Sequence, residues 1–154
     1  MIQRIQTLFL ILALACMAMF YFFPFGNITT AYEEIVPIGV LGCDYTNEKG
    51  DIQHFSTLFL LILISISVIT TLISIFLYKK RMLQIRFNVF NIVLQLGSIG
   101  MVFFYLIQAK REFGVDYSTG FLIVLPLAAA ILTFLAIRAI ARDEALIRSI
   151  DRLR

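Results

Sequence analysis

Four long runs of apolar residues, separated by short polar segments, dominate the pattern along this chain. Each run is close to or above the about 20 residues that a helix needs to cross a hydrocarbon core about 30 Å thick. The pattern therefore predicts an all-α membrane protein, a bundle of four transmembrane helices with an outer loop at 24–54 and a tail at 141–154. The predicted spans are roughly Ile5–Phe23, Phe55–Tyr78, Phe87–Ala109 and Phe121–Ile140.

Composition supports this class of protein. The chain is 60% hydrophobic with a mean hydropathy of +0.92, and only 15% of its residues are charged. Soluble domains carry about 25% charged residues. Within 154 residues, four spans leave room for one loop and one tail, so we predict a single integral-membrane domain covering 1–154.

The basic residues are distributed unevenly between the two sides of the predicted bundle. Taking the amino terminus as cytoplasmic, ten basic residues fall inside and three, Lys49, Lys110 and Arg111, fall outside. Because cytoplasmic loops carry an excess of Lys and Arg, this asymmetry predicts that both termini face the cytoplasm. The net charge of +3 thus indicates topology and gives no reason to expect a nucleic-acid partner. The inside set is Arg4, Lys79, Lys80, Arg81, Arg86, Arg138, Arg142, Arg148, Arg152 and Arg154.

The outer loop has the composition of short strands. Residues 32–41 are rich in β-branched and apolar side chains, and residues 47–51 are typical of a turn. We predict two or three strands that cap the bundle, with Pro37 confined to an edge strand or ending it. The carboxylates of this loop, Asp44, Glu48 and Asp51, match no calcium-binding spacing and are interpreted as a solvated acidic face. His54 has no partner at ligand spacing, so no metal or cofactor is expected. Two roles remain for Cys43. We favour a small, partly buried residue over a disulfide link to a partner chain.

The third span carries a polar stripe. Gln84, Asn88, Asn91, Gln95 and Ser98 recur at helical spacing and fall on one helix face. Amides facing lipid would be costly, so this face is predicted to point into the bundle. The natural partners are the hydroxyls of the second span, Ser67, Thr70, Thr71 and Ser74.

Two interpretations of the polar stripe remain. The first is interhelical hydrogen bonding, and the second is a path for a substrate or ion. The first is favoured because the spans contain no Asp, Glu, Lys or His of the kind that ion-coupled carriers use. Gly97 and Gly100 are interpreted as allowing close helix approach.

No serine has an activating base at hand and no carboxylates are paired in the membrane, so we do not expect an enzyme.

The cytoplasmic side carries a basic hairpin and an amphipathic tail. The hairpin contains Lys79, Lys80, Arg81 and Arg86. With no Gly or Pro after Pro126, the fourth helix is predicted to continue into the tail. The tail is predicted either to dock a protein or to lie against lipid headgroups. Its candidate contact residues are Leu146, Ile147, Arg148, Ile150, Arg152 and Leu153.

Three segments resemble a known family. They are Met1–Thr7, the hairpin Tyr78–Arg86 with Asn91 after it, and Arg142–Arg154. In these segments the chain resembles small four-span bacterial proteins of the Bacteroidota type that are classed as a domain of unknown function. The resemblance covers essentially the whole chain and implies a bacterial inner-membrane location, but it implies no activity, substrate or catalytic residue.

The functional expectation combines these observations. We expect a non-enzymatic accessory or scaffold subunit that docks a partner through its cytoplasmic face. The alternative is a small transporter or channel lined by the amide face of the third helix. The expected partners are membrane lipid and another membrane or cytoplasmic protein.

Overall fold

The protein folds into four long helices and five short strands in a computed structural model that describes residues 3–29, 35–46, 52–113 and 117–151. All four helices are long and apolar enough to cross a membrane, which confirms the prediction of a four-helix chain. The helices are α1 (Gln3–Phe22), α2 (Leu58–Phe76), α3 (Arg81–Phe113) and α4 (Val124–Asp151).

The strands form two small antiparallel sheets at one end of the bundle, and together they are called the strand cap. The first sheet has the order β2-β1-β5 and the second pairs β3 with β4. Pro37 lies on β2, which is an edge strand of the first sheet, as predicted. It pairs with Asn27 of β1. Strand β5 lies in the connection between α3 and α4 and was not predicted from the sequence. The strands are β1 (Gly26–Thr29), β2 (Ile35–Ile38), β3 (Cys43–Thr46), β4 (Ile52–Phe55) and β5 (Tyr117–Thr119).

The helices pack as a ring. Helix α1 packs against α2 and α4, and α3 packs against the same two helices. The pairing of β1 with β5 brings the carboxyl ends of α1 and α3 to the strand cap. Helices α1 and α3 therefore run in one direction and α2 and α4 in the other. The opposite end, which holds the start of α1, the α2–α3 turn and the end of α4, is called the helix end.

Two predicted boundaries were wrong, the start of the second span and the start of the third. Phe55 lies in β4, because α2 begins only at Leu58. The predicted basic hairpin is reduced to a 3-10 turn at Leu77–Lys79, because α3 already begins at Arg81. Its Arg81 and Arg86 are therefore helical.

Two close backbone approaches hold the strand cap together. The N–H of Gly120 donates to the carbonyl of Phe25 over 2.9 Å, and a Cβ at position 120 would lie 2.9 Å from that oxygen. Gly42 has a φ of +100°, and a Cβ there would lie 2.4 Å from the carbonyl oxygen of Phe55. Glycine fits both positions because it adds no Cβ, and at Gly42 it also adopts the positive φ without strain.

Apolar side chains cover the outside of the bundle, and polar side chains of α2 and α3 lie inside it beside an apolar core. Ser67, Asn88, Asn91 and Gln95 are completely buried, while large apolar side chains such as Phe90 lie on the surface. Soluble proteins bury their apolar residues and rarely expose apolar patches this extensive. The surface of the helices is thus apolar along their length, and the polar groups are enclosed.

The interpretation of Gly97 and Gly100 as close-approach residues was wrong. Both lie on the exposed face of α3. A Cβ at position 100 would meet nothing within 4 Å, and one at position 97 would make an ordinary 3.8 Å contact with Leu63. Small residues that are fully buried lie on other faces, among them Ala13 on α1 and Ala129 and Ala136 on α4.

Candidate functional site

The polar side chains of α3 meet α2 and α4 inside the bundle, and this set is called the polar seam. Asn91 lies at its centre. The hydroxyl of Ser67 donates to Asn91 Oδ1 over 2.7 Å, and Asn91 Nδ2 donates to the Thr71 hydroxyl over 2.8 Å. Thr71 in turn donates to the Ser67 carbonyl. Both ends of the Asn91 amide are therefore satisfied across the α2–α3 interface.

The next part of the polar seam lies one turn nearer the helix end. Ser74 donates to Asn88 Oδ1 over 2.6 Å, and Gln84 Nε2 donates to the Ser74 carbonyl over 3.0 Å. That carbonyl belongs to the last turn of α2 and also accepts a hydrogen bond from the backbone N–H of Leu77. Asn88 Nδ2 is buried and has no hydrogen-bond partner. This amide is therefore only half satisfied.

On the other side of Asn91, the polar seam turns towards α4. Gln95 Oε1 lies 3.3 Å from the hydroxyl of Thr133, which makes a shorter 2.8 Å bond to the Ala129 carbonyl. Gln95 Nε2 is buried without a partner. Ser98 and Thr70 bond to carbonyls of their own helices and do not bridge two helices. Sequence reasoning paired Gln95 only with α2 and overlooked Thr133.

A second buried polar contact joins α1 to α4 at the helix end. Gln6 Nε2 donates to Asp143 Oδ2, and both side chains are buried. Sequence reasoning assigned Asp143 to the tail and missed this contact. Helical spacing could have found it, because Thr133, Ala136 and Ile140 lead to Asp143 along one buried face of α4.

A groove of about 540 Å³ opens beside this contact, between α1 and the start of α3. Arg81 lies in it, and its Nη1 atom is buried with no hydrogen-bond partner. A buried guanidinium nitrogen normally finds an acceptor, because its desolvation is otherwise uncompensated. The lining residues are Gln6, Thr7, Leu8, Ile11, Leu12, Tyr78, Arg81 and Gln84.

The remaining candidate contact residues are only partly described. Lys80, Arg86 and Leu146 are exposed, Leu146 to 55%. Ile147, Arg148 and Ile150 belong to α4, which continues to Asp151. Nothing further is described for the side chains of Lys79, Ile147, Arg148 and Ile150, and Arg152 and Leu153 lie outside the described residues.

The strand cap carries a histidine–carboxylate pair and a buried thiol. His54 Nδ1 lies 2.5 Å from Asp44 Oδ1 in an exposed cross-strand pair between β3 and β4. Cys43 is buried, and burial, together with the neighbouring Asp44 carboxylate, raises the pKa of its thiol to about 11. Within the described ranges, no group of three or more His, Cys, Asp or Glu side chains could hold a metal ion. Glu48 and Asp51 lie outside those ranges.

The described helices enclose a polar seam, and all four are long and apolar enough to cross a membrane. These features are those of a four-helix membrane protein. A family model described as a domain of unknown function (DUF4293) matches residues 2–153. The chain belongs to this family, which confirms the resemblance to a domain of unknown function. Among curated proteins, none matches the chain.

Proposed function

We propose that this chain is a multi-pass protein of the bacterial inner membrane that acts as a non-enzymatic accessory or scaffold subunit. In this proposal both termini face the cytoplasm, and a partner protein docks on the helix end. The observation that carries the membrane location is the enclosed polar seam beneath an apolar surface. In a bilayer, amides avoid a desolvation penalty when they are buried with partners inside the bundle, and aliphatic side chains can face the lipid at no cost.

The charges of the two ends support the proposed orientation. Lys80, Arg81 and Arg86 lie at or next to the α2–α3 turn, whereas Lys110 and Arg111 lie in the last turns of α3, beside the strand cap. By the topology predicted from the sequence, ten basic residues fall in inside segments and three in outside segments. By the positive-inside rule the helix end faces the cytoplasm.

The geometry of α4 supports docking at the helix end. Asp143 lies about 29 Å along the helix axis from Val124, which is close to the thickness of a hydrocarbon core. The hydrogen bond from Gln6 fixes this level of α4 to α1. The helix then continues to Asp151, beyond the buried carboxylate. A helix anchored in this way presents its last turns in a defined direction.

The test is co-purification from native membranes in mild detergent. We expect a partner chain to be retained by the intact protein and by a variant with Arg148→Gln and Arg152→Gln. We expect Leu146→Ser with Ile150→Ser to release it. Apolar residues at the centre of a protein interface contribute more binding energy than charges at its rim. Retention by all three proteins would overturn docking through the tail.

The second candidate is a small transporter or channel along the amide face of α3. The unpaired donors Asn88 Nδ2 and Gln95 Nε2 favour it, because water or a solute in a path would satisfy them. Asn91 lies between these residues with both amide ends bonded across the interface, which argues against a continuous path. Sodium or proton flux in proteoliposomes that is abolished by Asn91→Leu, with folding intact, would replace the scaffold proposal with this one.

A further inference from the structure

The groove at the helix end combines a cationic side chain with an apolar wall. Arg81 lines the groove, and the Nη1 atom of its guanidinium is buried without a hydrogen-bond partner. Arg81 is also the first residue of α3, a helix of 33 residues, so the positive end of the helix dipole lies at the same place. A helix N-terminus beside a guanidinium favours a phosphate group.

The other wall of the groove changes from polar to apolar along α1. Gln6 and Thr7 lie at the level of Arg81, and Leu8, Ile11 and Leu12 follow along the helix. These three apolar side chains are about half exposed. From Thr7 to Leu12 the helix rises about 8 Å, so the apolar wall extends from headgroup level into the hydrocarbon.

We propose that this groove binds one phospholipid, with the phosphate on Arg81 and an acyl chain along Leu8, Ile11 and Leu12. This site rests on the membrane location proposed above and is independent of partner docking by the tail. Charge complementarity selects the occupant, because the anionic phosphate supplies the acceptor that Nη1 lacks. The polar-to-apolar gradient of the wall selects an amphiphile over a free anion.

The experiment is native mass spectrometry of the purified, delipidated full chain with defined probes. The probes are dioleoyl phosphatidylglycerol, dioleoylglycerol with the same acyl chains, and inorganic phosphate. We expect one tightly bound phosphatidylglycerol, with dioleoylglycerol bound at least about tenfold more weakly. Equal binding of dioleoylglycerol would overturn the role of the phosphate. Displacement of the lipid by millimolar inorganic phosphate would show a simple anion site and overturn the lipid proposal.

Two pairs of variants locate the site. Arg81→Gln should weaken phosphatidylglycerol binding about tenfold, whereas Arg86→Gln, which removes the same charge from an exposed position on the same helix, should not. Leu12→Trp should block the apolar wall, and Ile5→Trp, at an exposed position of α1 outside the lining, should not. Equal losses within either pair would overturn the site.

Leu12→Trp keeps Arg81 and changes a partly exposed side chain, so the test survives if Arg81→Gln fails to fold. The lipid count does not depend on any co-purifying protein. Failure of the lipid site is therefore distinguishable from failure of the scaffold proposal.

Discussion

The strand cap and the helix end close the same bundle by different means. The strand cap is held by backbone hydrogen bonds and an apolar core that includes Phe25, Ile38 and Phe55, all buried. The helix end is held by the polar pair Gln6–Asp143. Beside this pair, Arg81 lines an open groove and has one buried, unpaired nitrogen. A buried polar atom without a partner in a native structure needs an explanation, such as a bound ligand. The docking and lipid-binding functions proposed here both lie at the helix end, where Arg81 has such an atom.

The largest expected effect tests the rigidity of the strand cap. Gly42→Ala places a Cβ at positive φ and 2.4 Å from the Phe55 carbonyl oxygen, so we expect a loss of about 3 kcal/mol in the free energy of unfolding. Gly100→Ala is the matched control, because its Cβ meets nothing within 4 Å and alanine favours a helix. Unfolding in mixed micelles measures both. A tolerated Gly42→Ala would show that the strand cap is not a rigid closure.

The second prediction breaks the polar pair at the helix end. Gln6→Leu leaves the buried Asp143 carboxyl without its donor, so we expect a loss of about 2 kcal/mol. Asp143→Leu should cost a similar amount, and the double variant should cost clearly less than the two single variants together. Strictly additive losses in unfolding measurements would mean that the two side chains do not interact.

The third prediction separates two amides of the polar seam. Asn91→Leu removes two interhelical hydrogen bonds, which are individually weak in a bilayer, so we expect a loss of about 1 kcal/mol. Gln95→Leu should be close to neutral, because the amide makes one long contact to Thr133 and leaves Nε2 unpaired. Unfolding measurements on the two single variants decide this. A larger cost for Gln95→Leu would reveal a bound group that satisfies its amide.

The smallest expected effect concerns the thiol inside the strand cap. The folded-state pKa of Cys43 is raised from 9.0 to about 11, so the neutral thiol is favoured by folding. The stability from this shift is fully present below the unfolded pKa and is lost as pH rises towards about 11. Between about pH 8 and about pH 9.5 we expect a loss below about 1 kcal/mol that Cys43→Ala abolishes. A pH dependence unchanged in that variant would contradict a closed strand cap.

The sequence allowed the helices and the polar face of α3 to be predicted because both depend on local periodicity. The strand β5 could not be placed, since its pairing with β1 joins segments that lie far apart in the chain. Asp143 follows the fourth predicted span in the sequence and was therefore predicted to lie in the tail, although helical spacing puts it on the buried face of α4. The unpaired Arg81 nitrogen was beyond prediction, because the lack of an acceptor depends on how α1 and α3 pack.

The central claim is that the helix end faces the cytoplasm and the strand cap faces outward, and cysteine labelling tests it most directly. Leu41→Cys and Lys80→Cys place single thiols at exposed positions of the two ends, in a background with Cys16→Ala and Cys43→Ala. With an impermeant maleimide on intact spheroplasts, we predict that position 41 is labelled and that position 80 is labelled only after lysis. Labelling of position 80 in intact spheroplasts would contradict the account.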